Sequence, residues 1–81
     1  MMSLTDAMEN SETFIDVLDT NDGVRYKKLF KMDEDELMVS LDHGRTFVPA
    51  FDEFDGAALH SRVYVTLQDL PLYLKTTFLE M

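Results

Sequence analysis

The sequence predicts an α+β fold made of an N-terminal acidic helix, a three- to four-stranded, mainly antiparallel sheet and a short C-terminal helix. Three observations carry that class. Apolar residues recur with the period of a helix over the first twenty positions, the middle of the chain changes to strand-like alternation, and Asp69 followed by Pro71 is a helix-start signal near the end. At 81 residues the chain has room for one domain, spanning residues 1–81, in which residues 1–3 need not be ordered. A domain of that size buries only about 60 to 65% of its unfolded surface, so its core is small.

The elements follow in order. Leu4, Ala7, Met8, Phe14, Ile15 and Leu18 fall within about a third of a helical wheel. With Ser3 and Asp6 as a capping box and Gly23 as a left-handed exit, this predicts a helix over residues 4–19. Ser11 is a competing N-cap, in which case only the last two turns are helical. From Val24 to Lys31 apolar and basic residues alternate, which suits an amphipathic strand or an edge strand whose lysines discourage further pairing. Leu37, Val39 and Leu41 form one arm of a hairpin, Asp42-His43-Gly44 its turn, and residues 45–51 the other arm, with Pro49 requiring an edge or a bulge. Residues 52–59 suit one or two helical turns with Asp52 as N-cap and Gly56 as a weak point. Residues 62–67, β-branched and aromatic, read as a strand. Asp69 then caps a helix carrying Leu70, Tyr73, Leu74 and Phe78 on one face.

Composition narrows the function classes. Sixteen acids against seven bases give a net charge of −9, which argues against direct binding of nucleic acid or an anionic membrane. There is no cysteine, so disulfides and thiolate chemistry are excluded. No apolar run approaches the roughly 18 residues of a membrane span, and residues 1–10 lack the basic and apolar regions of a signal peptide. The expectation is a soluble, cytoplasmic protein.

The charge is segregated. Residues 1–23 hold six acids and no base, residues 24–32 hold Arg25, Lys27, Lys28 and Lys31 with no acid, and residues 33–36 are four consecutive acids. On a helix, Asp6, Glu9, Glu12, Asp16 and Asp19 form a contiguous arc of about 140°, with steps of about 4.5 to 6 Å along the axis, not far from the charge spacing of a nucleic-acid strand. Such an arc either solubilises the helix or docks on a basic surface. The absence of interleaved lysines favours docking. The candidate partner-binding residues are therefore Asp6, Glu9, Glu12, Asp16 and Asp19, with Asp33, Glu34, Asp35 and Glu36 as a second patch.

Other constellations are weaker. Four consecutive acids lack the alternation and glycine of a calcium loop. A His-carboxylate metal site using His43, His60 and Asp42 is conceivable, and surface histidines are the simpler reading. No glycine-rich phosphate loop or nucleophile–base pairing is legible, so no catalytic residue, metal or cofactor is assigned.

Leu41-Asp-His-Gly-Arg-Thr-Phe-Val-Pro-Ala-Phe51, then Asp52-Glu-Phe, then Val63-Tyr-Val-Thr-Leu-Gln-Asp-Leu-Pro-Leu-Tyr-Leu74, resemble the N-terminal domain of SseB-type proteins in the order strand, "D-G-x-x-x-(V/L)-P-x-F" arm, helix, strand, helix. The chain departs from that pattern at His43, at Asp52-Glu53 and in its shorter connecting helix. The resemblance over residues 41–74 implies an α+β order and an interaction role, and no catalytic residue.

The function expected from the sequence is a non-enzymatic acidic interaction module that binds a partner protein's basic surface. Its most concrete form is a small inhibitor covering a nucleic-acid-binding surface, a nucleic-acid mimic of a phage-like, anti-defence type. The alternative is a structural or assembly subunit, virion or secretion-related, that associates through the edge strand at residues 24–31; a homodimer is compatible with either.

Overall fold

The structure, a computed structural model describing residues 1–20 and 23–70, begins with a helix much shorter than the periodicity predicts. Helix α1 is Leu4–Asn10, capped by Ser3, whose hydroxyl accepts the Asp6 N–H at 3.2 Å. Ser11 is already extended and closes the helix as its C-cap. Residues expected in the helix's second half form strand β1, Thr13–Thr20. The reason is local and tertiary at once. Five of those eight residues are β-branched or aromatic, which favours a pleated strand. In addition Phe14, Ile15, Asp16 and Val17 are all buried, so β1 is covered on both faces and shows no period-2 alternation.

Four strands follow: β2 Gly23–Asp33, β3 Glu36–Ser40, β4 Val48–Pro49 and β5 Val63–Thr66. Helix α2, Ala50–Glu53, and helix α3, Gly56–His60, lie between β4 and β5. All pairings are antiparallel, in the order β4-β3-β2-β1-β5. The hairpin predicted across residues 37–51 is present but shorter than expected: β3 ends at Ser40, residues 41–47 form the loop with His43 and Gly44 at φ +61° and +90°, and the second arm is only Val48–Pro49, because Ala50 already starts α2. Pro49 lies on the edge strand, where no ladder donor is needed. The edge role expected for residues 24–31 is corrected. β2 pairs β1 along its length and β3 from Leu29 onward, so it lies inside the sheet. Within β2, residues 24–28 are bordered by β1 and not by β3 among the described residues.

Two clusters fill the space beside the sheet. On one face Phe14 and Phe30 stack with centroids 6.0 Å apart, and Tyr64 stands edge-on to both at 5.5 Å. Leu4 and Ala7 of α1, Ala50 of α2 and Leu59 of α3 pack with this aromatic group. The smaller cluster gathers Ile15, Leu29 and Leu70 with Phe47, Val65 and Leu67 around them. Met2 and Tyr64 exchange both backbone hydrogen bonds, at 2.7 and 2.8 Å, which ties the residues before α1 to β5.

The helical region after β4 differs in detail from the expectation. α2 begins one residue after Pro49, placing Asp52 within its first turn instead of at its cap, and Asp55 occupies the N-cap position of α3. After β5, Leu67–Asp69 is a 3-10 turn in which the Thr66 hydroxyl donates to the Asp69 carboxylate at 2.9 Å. The C-terminal helix expected through Tyr73, Leu74 and Phe78 lies outside the described residues.

Candidate interaction surface

The structure divides the predicted acidic residues among three places. Asp6 and Glu9 are exposed on α1. Glu12 is exposed in the link to β1, and its carbonyl accepts the Met32 N–H at 2.9 Å. That bond sets Glu12 beside the end of β2, where Asp33 pairs with Glu36 across the tight β2–β3 turn and Glu34 takes φ +56°. Asp33, Glu34, Asp35 and Glu36 are all exposed. The turn therefore joins Glu12 at one end of the sheet, an association across twenty residues of sequence.

Asp16 and Asp19 do not share that surface. Asp19 pairs in register with Val24 toward the far end of β1, about 23 Å from Glu12 at the strand rise of ~3.3 Å per residue. Asp16 is only 4% exposed. The five-carboxylate helical arc is thus overturned: the helix stops at Asn10, and a strand sends Asp16 inward.

Lys31 sits in register with Thr13 close to the acidic end, but its ammonium lies 4.2 Å from the centroid of the Phe47 ring. Among the described residues the one ion pair is Arg62 with Asp16. The carboxylates at the turn are thus unopposed by a bound base of the same described surface. Beside them, Asn10, Ser11, Glu12, Thr13, Thr66, Leu67 and Gln68 line a shallow hollow of about 230 Å³.

Asp16 has a structural role that sequence reasoning missed. Ile15 pairs with Leu29 and Val17 with Tyr26, so Asp16 faces two residues, Lys27 and Lys28, across a β-bulge. The bulge takes the Lys28 N–H out of the ladder, and Asp16 Oδ1 accepts it at 2.7 Å. Oδ2 accepts Nη1 of Arg62 at 3.0 Å. Arg62 also lies over the Phe54 ring, 5.0 Å from its centroid. Burial pushes the Asp16 carboxyl above its ordinary 3.8; the Lys28 N–H and the Arg62 charge pull it back without cancelling that effect. The signal available in the sequence was a lone acid inside Phe14-Ile15-Asp16-Val17, since a charge within an apolar run requires a partner.

The loop after β3 is built on a second carboxylate. Asp42 accepts from the Thr46 hydroxyl at 2.6 Å, the Thr46 N–H at 2.9 Å and the Ser40 hydroxyl at 2.9 Å, while Ser40 Oγ accepts the Gly44 N–H at 2.6 Å. These bonds, Thr46's foremost, lower the Asp42 carboxyl to about 2. Asp42 is therefore engaged in shaping the loop. His43 is exposed in that loop, and His60 ends α3 near Phe51, with ring centroids 6.5 Å apart. Among the described residues no group of three His, Asp or Glu side chains is arranged to hold a metal ion, and no helix is long and apolar enough to cross a membrane.

Compared with protein-family models, curated proteins and solved structures, the chain matches none.

Proposed function

We propose that this chain is a non-enzymatic interaction module that binds a basic surface of a partner protein through the acidic end of its sheet. The observation that carries the reading is the meeting of Glu12 with Asp33, Glu34, Asp35 and Glu36 at that end. A tight hairpin turn gathers four acidic residues on a short stretch of backbone beside Glu12, and like charges collected at one end of the sheet gain from any cation that approaches. Such a patch speeds encounter with Lys- and Arg-rich surfaces and loses that advantage as salt shortens the screening length to about 8 Å. Its concrete form is an inhibitor that occupies the arginines and lysines a partner uses for nucleic acid. Competition of this kind needs shared cations and no copy of the phosphate spacing.

The test is affinity capture with the tagged chain at low and high salt, beside a variant in which Glu12, Glu34, Asp35 and Glu36 are changed to Lys. The reading expects a protein bound at low salt, released by high salt and lost in the variant. Capture unchanged by the charge reversal refutes it.

The second reading, an assembly subunit, draws on residues 24–28, where β2 is bordered by β1 and not by β3 among the described residues. It expects a defined homo-oligomer in light scattering whose association barely responds to salt.

A further inference from the structure

We propose that the hollow beside Arg62 is a binding site for a monocarboxylate with a short apolar tail. Asp16, Val17, Leu18, Lys28 and Arg62 line a concavity of about 340 Å³, within the ~300 to 1,000 Å³ typical of small-molecule sites. It forms where β5 ends its pairing with β1 at Val17 while β1 and β2 continue past it, which leaves a notch in the sheet. This site is independent of the acidic end and goes beyond the proposed function.

The charge balance selects the ligand. Lys28 and Arg62 bring two positive charges and Asp16 one negative, so a single anionic charge neutralises the notch; a phosphate dianion would meet the Asp16 carboxylate with charge left over. Arg62 is already positioned. One N–H is bound to Asp16 and its guanidinium carbon lies over the Phe54 ring, 5.0 Å from the centroid, while among the described residues its remaining donors have no hydrogen-bond partner. A guanidinium fixed in this way offers a carboxylate a planar pair of donors without further ordering. Lys28 gives its backbone N–H to Asp16, and its half-buried side chain borders the same hollow without an ion pair among the described residues. Val17 and the exposed Leu18 supply an apolar wall for the tail. In a chain of net charge −9, a concavity lined by two cations and one acid is locally opposite in sign to the net charge.

The experiment is an NMR titration of the isotope-labelled full chain with hexanoate, and in parallel with 1-hexanol and inorganic phosphate, at fixed ionic strength. Hexanoate is expected to shift the Arg62 Nε–H and the Val17 and Leu18 methyls saturably, with phosphate and hexanol each at least about fivefold weaker. Lys28→Gln keeps the backbone bond to Asp16 and should weaken hexanoate about fivefold, the worth of one half-exposed ion pair. Shifts that do not saturate, equal affinity in Lys28→Gln, or phosphate or hexanol binding as tightly as hexanoate would each overturn the proposal.

Discussion

Replacing Asp16 by Ala removes both acceptors at the bulge. The Lys28 N–H, already outside the ladder, then has no acceptor in a half-buried position, which costs about 1 to 3 kcal/mol. Arg62 also loses its partner, but its side chain is 29% exposed and reaches water, so this loss adds less than the ~3 to 5 kcal/mol of a fully buried broken pair. Relief of a nearly buried carboxylate offsets part of the cost. The net expectation is a destabilisation of about 2 to 3 kcal/mol, or a melting point lower by about 10 to 20 °C in a domain this small. Asp16→Asn keeps an acceptor for Lys28 but turns an amide toward Arg62, and should cost about 1 to 2 kcal/mol.

The pH dependence separates burial from ion pairing. Because burial raises the Asp16 carboxyl above 3.8, the folded chain holds this proton more tightly than the unfolded chain. The stability from that proton is fully present below 3.8 and is lost as pH rises through the raised folded value. Asn has no such titration. The gap between wild type and Asp16→Asn, measured by urea unfolding, should therefore widen as pH falls from 7 to 4. A gap that narrows on acidification would show that the Arg62 pair outweighs desolvation, and the reasoning about this site would fail.

Other perturbations test the remaining parts. Phe30→Ala empties the centre of the aromatic cluster and should cost about 3 to 5 kcal/mol, much of the stability of a small domain, visible as a broad or absent thermal transition. Tyr64→Phe removes the hydrogen bond from its hydroxyl to the Leu59 carbonyl, 2.7 Å long, and should cost about 1 kcal/mol in urea unfolding. In the wild type, ultraviolet titration should find this phenol ionising near 12, raised by burial and the Asp16 charge. Asp42 should titrate near 2 by carboxyl carbon NMR. Its contribution to stability is present above 3.8 and lost as pH falls toward 2, opposite in sense to that of Asp16.

The parts legible in the sequence were those specified by local chemistry. Asp42-His43-Gly44 announces a turn, Pro49 an edge, residues 62–67 a strand, and Ser3 with Asp6 a helix start, and each is found. The helix over residues 4–19 failed because six apolar residues in fifteen positions fit a 3.6 period while forming two elements. A strand buried on both faces has no alternation to set against that fit. The acidic site failed with it in part. Asp6 and Glu9 remain exposed on the helix, but Asp16 is drawn inward by Arg62, forty-six residues away, which no spacing rule detects. The proximity of Glu12 to the 33–36 turn likewise depends on the β1–β2 pairing and not on helical phase.

The strand order has a consequence for biosynthesis. Strands β1 to β4 are neighbours in the order in which a ribosome makes them, so a four-stranded meander can assemble as the chain emerges. The outer edge of β1 must wait for Val63–Thr66, made more than forty residues after β1 is complete. Until then Phe14 and Ile15 flank an open edge, Asp16 lacks its guanidinium and Met2 has no Tyr64 to pair with. A translational pause before Arg62 would therefore present a nascent chain with one edge of β1 unpaired, a state exposed to chaperone capture or wrong pairing.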